Sequence, residues 1–473
     1  ILMCVAMLIG TTFAWFTDTA STGVNKIVSG NLKVDIIGAD SDSHIEKLNF
    51  TKAATTDAEA GAEILWEPGC RYLTEGFRIA NKGNLALKWK AQVNTGTTAA
   101  NEGNFDLLDV IDFYLVTKAA DGTETETALD EFTGNLKKTE TSDVYYIKGV
   151  MQTTAGNDYQ GLTLDGISIT VVATQDTVES DSFDNQYDKD AEYPILVTTG
   201  DELQAIVSNA TAPVNIVLTN SITTNNFVIP ADKDVTLDLN GRTVTNAGSH
   251  TILNKGHLTL TDSSADKSGQ IISLKGNTAA LRNGDNAVCV VEGGTISRDG
   301  ANGNTWHVVE NFGKMTFNGG KVVLKNGNGF AITNGWNYFD PGASTTHAVM
   351  EINALELDTD SSGIKNCRYG DLTVNDVTVT STGYWALSND YLGTAVINGG
   401  TLTSNSFKAV SNGAAMTVNG GTFDGTEGLF VQSYATSTVL NGGTFTNMNV
   451  DALSSYVGTG HTAQQSGTSV IIK

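Results

Sequence analysis

At 473 residues the chain exceeds one ordinary domain and suits two or three. Its 50 Gly, 5 Pro and 17% charged residues fit many short strands joined by tight turns, not long helices. A formal net charge of −24 sets nucleic-acid binding aside, because phosphates call for Lys and Arg.

In chain order, residues 1–10 are uninterruptedly apolar and lead into Thr12-Phe13-Ala14. That is the pattern of a signal-peptide core and cleavage site, so residues 1–14 are expected to be a secretory leader. Ten residues are too few for a membrane span, which needs about 20, and no later stretch is apolar enough to supply one.

Residues 15–176 carry alternating segments at 31–37, 77–80, 86–93, 110–117, 144–148 and 166–174. The run Leu85-Ala86-Leu87-Lys88-Trp89-Lys90-Ala91 has period two, which places one face on a core and the other in water. Six such segments with Gly, Asn and Asp turns predict a jelly roll or β-sandwich. Residues 177–194 are dominated by Asp and Glu and are expected to form a solvated linker. Thr199-Gly200-Asp201-Glu202 is a capping box opening a short helix through Leu203, Ile206 and Val207. Such a helix is placed to cover the open end of the repeat array that follows.

From there to residue 473 one phrase recurs: Val396-Ile397-Asn398-Gly399-Gly400-Thr401-Leu402, Thr417-Val418-Asn419-Gly420-Gly421-Thr422-Phe423, Val439-Leu440-Asn441-Gly442-Gly443-Thr444-Phe445. Earlier copies carry Asn318, Asn353 and Asn375. From Asn353 the steps are 22, 23, 21 and 22 residues. A second family runs through Asn311, Asn334, Asn366, Asn389 and Asn412. Such a period is one coil of a right-handed parallel β-helix, and each Asn family is expected to stack as a side-chain amide ladder at one corner. The predicted fold class is therefore all-β, a sandwich over 15–176 and a solenoid of nine or ten coils within 195–473. Cys4 falls in the leader; Cys70, Cys289 and Cys367 are too scattered for a disulfide framework and are expected as free thiols.

Thr12-Phe13-Ala14-Trp15-Phe16-Thr17-Asp18, Asn25 to Val34, and Leu65-Trp66-Glu67-Pro68-Gly69-Cys70 with Asn81-Lys82-Gly83-Asn84-Leu85-Ala86 resemble the TasA/camelysin family. The resemblance covers residues 1–176. It implies export from a Gram-positive (Firmicutes) cell, processing by a SipW-type signal peptidase, and a jelly roll able to polymerise. In such fibres the N-terminal segment adds a strand to the next subunit, a β-augmentation. Here the donor would start at Trp15, Phe16, Thr17 and Asp18. The partners implied are further copies or related surface subunits. Camelysin is catalogued as a metallopeptidase, but this region has one histidine, His44, beside Asp40, Asp42 and Glu46. That set falls short of the paired histidines of a zinc peptidase, so neither a metal nor a cofactor is expected.

The β-helix resembles pectate lyases, which makes polysaccharide cleavage the rival reading. Arg368, Asp371 and Asp390 are its best lyase-like cluster, but these acids, with Asp299, Asp358 and Asp360, read as scattered turn residues. The favoured reading is a non-enzymatic secreted surface or matrix protein, fibre-forming or adhesive. Its candidate glycan contacts are Trp336, Tyr369, Trp385, Tyr391 and Tyr434, aromatic residues at recurring offsets around the second Asn family.

Overall fold

The computed structural model describes residues 31–45, 48–51, 66–98, 103, 105–129, 132–165, 167–176, 192–246, 248–303, 305–336 and 346–473. The leader, the donor segment from Trp15 to Asn25 and most of the acidic linker lie outside the described residues. The chain forms two compact units, residues 1–193 and 194–473.

The first unit is antiparallel. One curled sheet joins Val34–Gly38, Phe77–Asn81, Tyr145–Met151, Arg71–Thr74 and Phe50–Thr51, and extends through Ile111–Lys118 to Glu124–Ala128. A second sheet has Leu87–Asn94 between Ser168–Gln175 and Phe132–Leu136. Strict alternation in Leu87–Asn94 sends Leu87, Trp89, Ala91 and Val93 inward, where they meet Phe77, Ile79, Leu115 and Ile147 of the curled sheet and Leu136 of the neighbouring strand. Trp89 is fully buried, edge-on to Phe132 and Tyr145. Gly134 stands opposite it because a Cβ there would lie 2.7 Å from the indole ring. The Asn81-x-Gly83 turn has a similar local cause. Buried Asn81 donates to the carbonyls of Leu85 (2.7 Å) and Lys137 (3.1 Å) and accepts the Gly83 N–H (2.9 Å). His44 pairs with Asp35 at 2.6 Å.

The second unit is a parallel β-solenoid of about ten turns. Three sheets run along it. The first goes from Ile195–Val197 and Val214–Leu218 to Ser437–Leu440, the second from Ile222–Thr223 to Gly443–Phe445, and the third from Val228–Ile229 to Leu429–Val431. Counting coils from Val214, each contributes one strand to each sheet, the tenth to the first two only. Register aligns like with like. Ile216, Leu237, Leu260, Val291, Phe317, Ile352, Val374, Ile397, Val418 and Leu440 form one continuous inward column on the first sheet. Buried side chains of all three sheets make a single core along the array.

Both ends of the array are covered. Thr199 caps helix α1 (Gly200–Asn209) by accepting the Glu202 N–H at 3.2 Å. Glu202 reaches back to the Thr198 N–H (2.9 Å), one residue earlier than a reciprocal box requires. Leu203 and Val207 of α1 are buried in the core. At the other end an antiparallel hairpin, Ala463–Ser466 with Ser469–Ile472, pairs with Gly443–Phe445 and closes the edge of the second sheet.

Candidate functional site

The two asparagine families form ladders of different character. The inner one closes the third-sheet strands and faces the core. Each Nδ2 donates to the Oδ1 of the next coil at 2.7–2.9 Å, in the order Asn254, Asn283, Asn311, Asn334, Asn366, Asn389, Asn412. All seven are fully buried. Each amide also donates to the first-sheet carbonyls that follow, as Asn366 does to Gly370 (2.9 Å) and Thr394 (3.0 Å). A buried carbonyl at a corner has no ladder partner of its own, so the amide satisfies what the turn leaves open. Asn254 and Asn283 are members that the repeat spacing does not reveal. Coils there are 28 and 29 residues long, and the Asn-Gly or Asn-x-Gly that follows each is the usable signal.

The outer ladder runs through Asn318, Asn353, Asn375, Asn398, Asn419 and Asn441, between the first and second sheets. Here each Nδ2 points to the preceding coil at 2.7–2.9 Å. Asn318 ends the row on the Glu292 carboxylate at 2.8 Å. This row is exposed or half-buried. The Gly-Gly pairs after it supply positive φ, as at Gly400 (+96°), Gly421 (+106°) and Gly443 (+112°).

A third polar row escapes sequence reasoning altogether. Asn246, Ser273, Arg298, Thr359, Ser381 and Ser404 share one register position at or next to the ends of second-sheet strands, interrupted once by Leu324, and are all buried. They bond backbone groups of the corner toward the third sheet: Ser381 and Ser404 both donate to the Tyr384 carbonyl at 2.9 and 2.6 Å, and Thr359 accepts the Ser361 N–H at 3.0 Å. Arg298 donates to Ser273 Oγ (2.7 Å) and the Lys275 and His307 carbonyls; burial lowers its guanidinium to about 10.

The outer surface of the third sheet gathers most of the remaining chemistry. Register puts Arg282, Glu310, Thr333, Lys365, Ser388, Ser411 and Phe430 in one outward row. Outward positions of a sheet are expected to be solvated, yet Glu310 is 4% exposed, Ser388 5% and Ser411 2%. Flanking corners wall them in. Glu310 is held by Arg282 (3.0 Å) and by Trp306 Nε1 (3.0 Å), neither of which the repeat pattern pairs with it. Lys365 pairs with Asp390 (3.1 Å), and Ser388 Oγ donates to the same carboxyl (2.9 Å).

On the corner that enters the third sheet, Trp385 of coil seven lies edge-on to Phe407 of coil eight (4.7 Å). It is also nearly parallel to Phe430 of coil nine, at 6.0 Å and 23°. Lys408 sits 3.6 Å from the Phe430 centroid and pairs with Glu427 at 3.1 Å. Tyr384, at 58% exposure, packs edge-on to Phe407.

On the corner that leaves the third sheet stand Trp336, Tyr369, Tyr391 and Tyr434. They share a place in the coil, but no ring pair joins any two of them. Trp336 packs on Phe312 (4.5 Å), and Tyr369 packs on His347 (5.6 Å) with Arg368 over its face (4.7 Å). Tyr391 and Tyr434 are exposed. Of the five aromatic candidates, only Trp385 belongs to a continuous cluster.

The acids of the lyase-like set do not converge. Asp371 pairs with His347 (2.9 Å), Asp390 with Lys365, and Asp358 with Lys325 (2.7 Å), while Asp299 and Asp360 accept from Asn326. Arg368 turns to the Tyr369 hydroxyl at 3.0 Å. Among the described residues no three His, Cys, Asp or Glu side chains are grouped to hold a metal, and no helix is long and apolar enough to cross a membrane. Cys70, Cys289 and Cys367 are free thiols. Comparison with known proteins adds no relative: no family model, no curated protein and no solved structure matches the chain.

Proposed function

We propose that the chain is a secreted, non-enzymatic protein of a bacterial surface or extracellular matrix, in which the solenoid is a stiff display module that touches glycans through the third sheet and its corners. The observation that carries this reading is the ring cluster beside the outer row of the third sheet, to which coils seven, eight and nine each give one ring, Trp385, Phe407 and Phe430. Tyr384 is exposed and the other rings half-buried, and aromatic faces beside amide and carboxyl groups are what sugars use, since a pyranose has an apolar face and a polar rim. A stiff carrier is consistent with ladders that together tie coils two to ten in succession and with ends closed against edge pairing.

The rival reading, a polysaccharide lyase or hydrolase, needs converging carboxylates. Glu310 is the buried acid on this face, and Arg282 and Trp306 already occupy it. The resemblance of the first unit to the TasA/camelysin family supports a second element of the proposal. That unit attaches the protein to its surroundings, by donating the segment from Trp15 onward to another copy or a related subunit. Glycan-array binding by the full chain tests the first element; no bound glycan removes it. Negative-stain microscopy of the processed protein tests the second; persistent monomers under all conditions remove it.

A further inference from the structure

Resting on that glycan reading, we infer that the third-sheet site over coils seven to nine takes a neutral, linear polysaccharide and rejects polyuronates. The site is the surface of Trp385, Tyr384, Phe407 and Phe430 above the Ser388 and Ser411 floor. Its two cations, Lys365 and Lys408, each already have a carboxylate, Asp390 at 3.1 Å and Glu427 at 3.1 Å. A uronate ligand needs free cations, and here it would have to displace a resident carboxylate or sit beside it. Residues 194–473 carry 14 Lys and Arg against 22 Asp and Glu, a formal net charge of −8, which disfavours a polyanion at low salt.

What the site does offer is uncharged recognition. Trp385, Phe407 and Phe430 are half-buried and come from three successive coils, so with exposed Tyr384 their rings form a row along the solenoid axis, one Phe430 face being covered by Lys408. Rungs repeat at about 4.8 Å, close to the advance of one sugar unit in an extended glycan. Asp390 and Glu427 are partly exposed carboxylates whose oxygens each have a second lone pair to accept from sugar diols, and half-buried Gln432, which donates to Ser411 (3.3 Å), adds an amide.

The test uses the full-length protein. An array of neutral hexose oligomers and uronate oligomers is followed by calorimetry with the best neutral oligomer and with polygalacturonate, each at low and high salt. Binding of neutral oligomers with little salt dependence is expected, without measurable polygalacturonate binding. Trp385→Ala is expected to weaken neutral binding about tenfold or more, the range for losing one aromatic platform. Trp385→Phe is expected to keep most of it, while circular dichroism shows both variants folded. Val349→Thr, on the first sheet, is expected to change nothing. Glu427→Gln, which frees Lys408, is expected to create salt-sensitive polygalacturonate binding that the parent lacks. Tighter uronate binding by the parent, falling with salt, overturns the neutral assignment and leaves the glycan reading standing. Neutral binding unchanged in folded Trp385→Ala overturns the site. Absence of binding to any glycan overturns this inference and the glycan reading together.

Discussion

Asn366 and Asn398 look equivalent in sequence, each a step in a regular asparagine series, but replacement by alanine should affect them very differently. Asn366 is fully buried. Its Nδ2 donates to Asn389 Oδ1 (2.8 Å), Gly370 O (2.9 Å) and Thr394 O (3.0 Å), and its Oδ1 accepts from Asn334 (2.9 Å). Asn366→Ala removes all four bonds and strands the buried Gly370 carbonyl and the Asn389 amide oxygen where no water replaces them. At about 1 kcal/mol net per bond, with 1–3 kcal/mol for an orphaned buried group, the expected loss is about 3–5 kcal/mol. Asn398 donates to Asn375 (2.7 Å) and accepts from Asn419 (2.8 Å) at an exposed corner. Water takes over both roles there, so Asn398→Ala should cost about 0.5–1 kcal/mol. Denaturant unfolding with hydrogen exchange resolved over coils five to eight reads both values. Nearest-neighbour coupling in a solenoid should confine the Asn366→Ala effect to adjoining coils first. Equal losses for the two variants, or a loss under about 1 kcal/mol for Asn366→Ala, would refute the assignment of solenoid stability to the buried ladder.

Three further outcomes follow from the same packing. Burial pushes the His307 imidazole down to about 4 from 6.5, while its Nδ1 accepts the Phe330 N–H at 3.0 Å. Between those values the unfolded chain takes up a proton that the folded chain refuses, so stability is full above pH 6.5 and falls as pH drops toward 4. The total is about 3 kcal/mol, and a pH series of unfolding midpoints should flatten in His307→Asn. Burial raises the thiols of Cys289 and Cys367 to about 12, so a thiol reagent at pH 8 should label them only after denaturation. Gly363 has its Cβ position 2.2 Å from the Ala386 carbonyl oxygen, so Gly363→Ala must shift the backbone between coils six and seven. It should lower the melting temperature by several degrees, as a loss of about 1–3 kcal/mol implies.

What the residues announced in advance was whatever repeats at constant spacing. From Asn353 onward the coils differ by only a residue or two, so both ladders and the strands between them stand out by position alone. Earlier coils carry longer corners, which break the period and hide Asn254 and Asn283 although they do the same job. Glu310 was hidden for another reason. Alternation places it outward, and only Trp306 from a corner and Arg282 from the preceding coil bury it. Phe430 is likewise one residue of a short strand until Trp385, two coils earlier, reaches over to it. Serine and threonine are too common in turns for Ser273, Ser381 or Ser404 to mark the row that satisfies the corner carbonyls. Local pattern thus specified the coil, whereas contacts between coils built the site.

The most direct test of the central claim is one incubation read in two ways. The full-length protein is mixed with a panel of neutral and acidic polysaccharides. Retention on each is measured, together with any new reducing or unsaturated chain ends. Retention on a neutral polysaccharide, with no new ends over extended times, is the predicted result. New ends that appear with the protein and disappear in Glu310→Gln would contradict it and make the third sheet a catalytic surface.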